Sequence, residues 1–197
     1  MKRETFADVI ELAGDQLSIN NGDGQYSCYI EILQAIGAQL NAMLSYHSKV
    51  LVFRFDLHIE RYSRDNQQLS RFIEKIKRRI QSHYGAKRLA YIWVREHEKA
   101  KQQHYHIALF IDANKVQHPG RLVYWIDKHW QDRGHPKPYT PKNCFEVVTR
   151  KNEVAKQRVF KRLSYLAKTR GKVYRDKSVN DYSASRIKQK EKIRDKA

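Results

Sequence analysis

The sequence predicts an α+β domain, a central antiparallel sheet flanked by helices, on three observations. From Val50 the apolar pattern has period two, with Leu51, Phe53, Phe55, Leu57 and Ile59 on one face and Val52, Arg54, Asp56 and His58 on the other. Helical spacing then returns over 66 to 84 through Leu69, Phe72, Ile73, Ile76 and Ile80. The chain continues strand, strand, helix, strand, helix, a split β-α-β order that places helices on the faces of an antiparallel sheet. At 197 residues the chain has length for one domain with extensions. The expected division is a helical N-terminal extension over 1–47, the main domain over 48–175 and a basic tail over 176–197.

Residues 5 to 14 and 27 to 46 read as helices, separated by the turn formers Asn20-Asn21-Gly22-Asp23-Gly24. Leu33, Ile36, Leu40, Met43 and Leu44 form one apolar stripe on the second, which is expected to pack on the main domain. Gly85 is placed to end the 66–84 helix in a left-handed conformation. Leu89 to Glu98 and His104 to Ala113 read as a hairpin around a polar loop. Gly120 to Gln131 is an amphipathic helix carrying Leu122, Trp125, Ile126 and Trp130, stopped by the proline-rich 134–141 stretch, and Cys144 to Thr149 is a short strand. The last helix spans 153 to 170. Its apolar side is Val159, Phe160, Leu163 and Ala167, and Arg158, Arg162, Tyr165, Lys168 and Lys172 lie opposite. Beyond Val173 apolar periodicity ends, which predicts a mobile tail.

Charge is the strongest global signal: 39 Lys and Arg against 21 Asp and Glu leave +18. Such a field attracts polyanions and releases their counterions, so nucleic acid is the expected partner. The excess is uneven, since residues 1 to 50 carry 3 basic and 6 acidic side chains and residues 151 to 197 carry 16 and 5. Cys28 and Cys144 are far apart and form no CxxC pair, so neither a disulfide framework nor a cysteine zinc site is indicated, which fits a reducing cytoplasm. No apolar run reaches the roughly 18 residues of a membrane span, and no signal-peptide core opens the chain, so no membrane partner is expected. There is no internal repeat and no glycine-rich phosphate loop.

The candidate chemistry centres on His104-Tyr105-His106. Residues two apart on a strand share a face, so both imidazoles can converge on one metal ion. A third ligand is expected from the paired strand, Glu96 or alternatively Glu98, giving a site able to hold Mg or Mn with positions open for substrate. Asp56 and His58 share the polar face of the first strand and are candidates to support that site or to serve as hydrogen-bonded structural groups. Tyr165 is the best-placed nucleophile, with the Lys168 cation nearby to favour the phenolate and steady a phosphate. Arg54, Arg158, Lys161, Arg162, Arg170 and Lys172 are the candidate DNA-binding cations. Tyr91, Trp93 and Tyr105 could stack unpaired bases, packing being the better use for Trp93.

On these residues a resemblance can be stated. His104-Tyr105-His106-Ile107-Ala108-Leu109-Phe110 resembles the paired-histidine strand of the HUH single-strand endonucleases, and Tyr165-Leu166-Ala167-Lys168 resembles their nucleophile motif. Together with Val52-Phe53-Arg54-Phe55-Asp56-Leu57-His58 and Trp93-Val94-Arg95-Glu96, these segments are similar to inovirus-type and prophage replication proteins with the YagK/YfjJ C-terminal domain, over about residues 45 to 175. The resemblance implies a ferredoxin-like HUH nuclease fold and a one-tyrosine enzyme that starts rolling-circle replication of a phage, plasmid or integrated element. It further implies a nick in single-stranded origin DNA, a 5′-phosphotyrosine at Tyr165, Mg or Mn, and a host helicase and polymerase as partners in the bacterial cytoplasm. A non-catalytic DNA-binding regulator of the same fold, or a relaxase or transposase with the same chemistry, is the competing expectation. If the two histidines and the carboxylate lie too far apart to share an ion, the first competitor becomes the better account.

Overall fold

The run from Lys49 to His58 forms a central strand because its alternating β-branched and aromatic side chains are buried on a pleated surface. The computed structural model describes residues 2–97, 103–172 and 179–191. In chain order its elements are β1 (Glu4–Thr5), β2 (Val9–Leu12), β3 (Asp15–Ser18), β4 (Cys28–Tyr29), α1 (Ile30–Tyr46), β5 (Lys49–His58), α2 (Gln67–Tyr84), β6 (Leu89–Glu96), β7 (His104–Asp112), α3 (Gly120–Gln131), β8 (Phe145–Thr149), α4 (Glu153–Ser164), a 3-10 turn (Tyr165–Ala167) and β9 (Tyr182–Ala184).

The main sheet has five strands in the order β8-β5-β7-β6-β9, each antiparallel to its neighbours. Without β9 this is the β-α-β-β-α-β arrangement of ferredoxin-like domains, and the protein is an α+β fold with helices on both sheet faces. Odd-numbered side chains of β5 (Leu51, Phe53, Phe55, Leu57) pack with Phe72, Ile76, Ile80, Leu122 and Trp130 of α2 and α3. Even-numbered positions meet the other layer: Val50 and Val52, with Ala90, Ile92, Ala108 and Phe110 of β6 and β7, lie under α1 and α4. The expected polar face of β5 is thus polar only toward its end, at Arg54, Asp56 and His58. That change along one face leaves a polar patch beside an apolar floor.

Three local expectations are corrected. Residues 5 to 14 are not a helix but strands: Ala13 and Gly14, both at positive φ (54° and 86°), make a two-residue hairpin loop that pairs Leu12 with Asp15. The 153–170 helix stops at Ser164, where the backbone tightens into the 3-10 turn before extending at Lys168 (ψ 137°). The tail is not wholly unstructured, because Tyr182–Ala184 adds to the free edge of β6 with Val94 opposite Tyr182 and Ile92 opposite Ala184. Edge pairing needs backbone groups rather than apolar periodicity, so a sequence pattern carries little trace of it. Glu98 and the ends of the expected tail, at 173–178 and 192–197, lie outside the described residues.

Candidate active site

The register of the sheet assembles the site row by row. Asp56 on β5 and Val94 on β6 flank His106 of β7, and His58 and Glu96 flank His104 one row further on. All except Val94 are the polar continuation of the face that α1 and α4 cover elsewhere. One donor atom each from Glu96, His104 and His106 lies within 4.8 Å of the others, a group able to hold a metal ion. The Glu96 Oε2 atom is 3.3 Å from His106 Nε2 and 3.5 Å from His104 Nε2. Of the two expected carboxylates, Glu96 is the one in this group, and Glu98 lies outside the described residues.

Each of the three side chains is held from behind. His106 Nδ1 lies 2.8 Å from Asp56 Oδ1, which orients the ring so that Nε2 points to the shared site. Glu96 Oε1 accepts a hydrogen bond from Lys172 Nζ at 2.7 Å. His58 stacks on His104 with ring centroids 5.5 Å apart. Gly171, at φ 80°, has a backbone that favours glycine, and a Cβ there would stand 3.1 Å from Glu96 Oε2 and press on that carboxylate.

Electrostatics follows from this packing. Burial alone would raise the Glu96 carboxyl, but contacts from His104 and His106 and the Lys172 charge reverse that and hold it well below the usual carboxylate range. Burial likewise works against the His106 imidazolium, and Asp56 and Glu96 on its two nitrogens more than offset it, raising the ring above its ordinary value. His58 is lowered, by burial first and then by the neighbouring His104 and His106. Lys172 is lowered by its own burial, against the pull of Glu96.

Tyr165 stands at the C-terminal end of α4 and reaches this group across the pocket. Its ring is edge-on to His106 at 6.2 Å between centroids, and the Arg54 guanidinium carbon is 5.1 Å from its centre. Lys168 Nζ lies 3.2 Å from the Tyr165 ring centre and 4.9 Å from that of Tyr26. The end of the helix, not its continuation, makes this possible: the extended Lys168 backbone pairs with Cys28, and Ser27 O accepts from Thr169 N at 2.9 Å. Tyr26, Glu96, His104, His106, Tyr165, Lys168 and Arg170 enclose a cavity of about 240 Å³.

The other predicted residues divide. Arg54 sits inside the site, 3.5 Å from both Asp56 Oδ2 and His106 Nδ1. Arg170 is exposed at the pocket, with Nη1 3.4 Å from the Tyr26 hydroxyl. Lys161 lines a separate groove beside Asn20 and Asn21, outside the pocket. Arg158 and Arg162 both pair with Glu146, which neutralises part of the charge expected to face DNA. Lys172 is corrected outright: at 3% exposure it is an interior ion-pair partner of Glu96, not a phosphate contact, because the chain leaves the helix before reaching it. Tyr105 is corrected too, being fully buried on the opposite sheet face and hydrogen-bonded to Asn66 and Gln103, with burial pushing its phenol up to about 12. Trp93 is buried, as packing requires. Sequence reasoning missed Tyr26, whose loop reads as a bare turn until the tertiary fold brings it to Lys168.

The family model of the YagK/YfjJ C-terminal domain matches residues 14–181. No curated protein and no solved structure matches the chain. The matched span runs from the β2–β3 loop to the residue before β9, taking in α1, the whole β-α-β-β-α-β unit and every residue that lines the pocket, and the chain therefore belongs to the YagK/YfjJ C-terminal domain family.

Proposed function

We propose that the protein is a rolling-circle replication initiator, a metal-dependent and site-specific single-strand DNA endonuclease of the HUH type that forms a 5′-phosphotyrosine through Tyr165. The observation that carries this reading is the meeting, in one small polar cavity, of a two-histidine, one-carboxylate donor set with a tyrosine beside a lysine. The closeness of the three donors favours catalysis over binding alone. His104, His106 and Glu96 would hold Mg or Mn, which when bound supplies charge to polarise the non-bridging oxygens of a phosphodiester.

The chain's own groups account for the rest. The Tyr165 oxygen bonds to the scissile phosphorus, the bond to the 3′ oxygen breaks, and the proton lost by the phenol is balanced by the one taken up at the departing 3′ hydroxyl. Rejoining is the reverse step. Lys168, lying over the tyrosine ring, and Arg54 and Arg170 at the pocket place positive charge where the phosphoryl group gains negative charge. Asp56 keeps His106 oriented. The free 3′ hydroxyl would prime synthesis by a host polymerase behind a host helicase, in the cytoplasm of the bacterial cell.

The test is incubation with labelled single-stranded DNA spanning the replicon's own origin and Mn, followed by peptide mapping of the linked residue. A covalent adduct at Tyr165, absent with chelator and abolished by Tyr165→Phe, is expected. Undiminished adduct in Tyr165→Phe overturns the nucleophile assignment.

A further inference from the structure

On the sheet face opposite the candidate site, α2 and α3 present a strip of cations that the pocket chemistry does not use. Arg71, Lys75 and Arg78 recur at i, i+4 and i+7 on the exposed side of α2. Ser82 follows at i+11, making the stripe about 16 Å long at 1.5 Å per residue, the reach of several phosphates of one strand. Two grooves of about 550 and 580 Å³ run along it and share Lys75 and Arg78.

The groove between the helices has a polar floor. His129 is only 8% exposed, lines that groove, and its Nε2 atom has no hydrogen-bond partner. A buried ring nitrogen without a partner is costly unless a ligand supplies one. Burial lowers this imidazole, and Lys75, Arg79 and Arg133 lower it further, against an opposing pull from Asp132. An anion is the ligand that satisfies both the nitrogen and the surrounding charge.

We infer that this strip is a second DNA site, which holds the phosphate backbone of duplex DNA while the opposite face works on a single strand. Single-strand sites pair cations with open aromatic faces for base stacking. Here the groove's rings are already taken: Trp125 is 5% exposed beneath Arg79, whose guanidinium carbon lies 4.8 Å from the ring centre, and the His83 ring is edge-on to both Trp125 and Tyr84. What remains is lysine, arginine, serine hydroxyls and a histidine nitrogen, with Glu74 the one carboxylate among the lining residues and paired with Lys77, a set that contacts phosphate without reading bases. The inference shares with the preceding reading only its partner class, and it stands if Tyr165 forms no adduct.

The full chain is titrated by fluorescence anisotropy into a short mixed-sequence duplex and into a single strand of the same length, over a range of salt concentrations. Lys75→Gln with Arg78→Gln is compared with Lys115→Gln with Lys151→Gln, an equal loss of charge at exposed positions outside both grooves. The first pair is expected to weaken duplex binding on the order of tenfold and to reduce the slope of log affinity against log salt by about 2. Single-strand affinity stays within about twofold, and the control pair has a much smaller effect. Equal losses from the two pairs, or an equal loss for single strand and duplex, overturns the inference. In the unmutated chain the His129 ring resonances should also shift on adding duplex; no shift counts against it.

Discussion

Lys172 decides what Glu96 can do. With its side chain fully buried and Nζ 2.7 Å from Glu96 Oε1, it occupies one carboxylate oxygen and leaves the other to face the two histidines. Removing one partner of a buried pair leaves the other charge uncompensated. Lys172→Met should therefore cost about 3 kcal/mol of stability in the chelator-treated protein, read from urea midpoints at constant m-value. Adding Glu96→Gln should recover part of that loss; a Lys172→Met protein as stable as the parent removes the argument. The pairing of His104 with His106 is legible from alternation alone, and so is Tyr105 facing away from them. Lys172 was not legible, since helical spacing carried past the true helix end puts it outside.

At the scale of elements, the length of α4 sets the geometry of the pocket. Its N-terminus is fixed by Asn152, whose Oδ1 accepts from Ala155 N at 3.0 Å, the side-chain cap expected before an amphipathic helix. Asn152→Ala should lower stability by about 1 kcal/mol, or about 3 °C in Tm by calorimetry, without changing Mn affinity, because the cap lies at the far end from Tyr165. No loss of Tm would mean that the helix start is held by packing alone. The C-terminal end follows a different logic. Val159, Phe160 and Leu163 continue the apolar stripe, yet the segment from Ser27 to Cys28 pairs with the backbone of Lys168 and Thr169, so the chain tightens after Ser164 and extends at Lys168 instead of continuing the helix. Periodicity sees the stripe and cannot see a competing strand 140 residues away.

For the whole molecule, the distribution of charge is the larger constraint, and it makes the α2–α3 side sensitive to acid. His129 and His135 are both held below their ordinary value, His129 by burial and then by Lys75, Arg79 and Arg133, His135 by burial and then by Arg133. For bases whose folded pKa is depressed, the unfolded chain takes up protons first. Their contribution to stability is full above about pH 6.5 and falls as pH drops through the folded values. His106 is raised and acts in the opposite sense, so the useful quantity is a difference. In phosphate-free buffer the stability gap between the parent and a His129→Gln, His135→Gln variant should narrow from about pH 7 to pH 5; a constant gap contradicts the assignment.

The sequence by itself determined the α+β class, the β-α-β-β-α-β order, the apolar face of β5, the two histidines that share a face of β7, and a large positive charge. Each of these is written in spacing along one element or in composition, and spacing along one element is what a sequence displays directly. Only the tertiary structure decided that Glu96 has Lys172 behind it, that Arg54 lies between Asp56, His106 and Tyr165, that Tyr26 closes the pocket, and that β9 completes the sheet. Those facts join residues distant in the chain through backbone pairing and burial, whose partners are chosen when the whole core closes rather than by any local pattern.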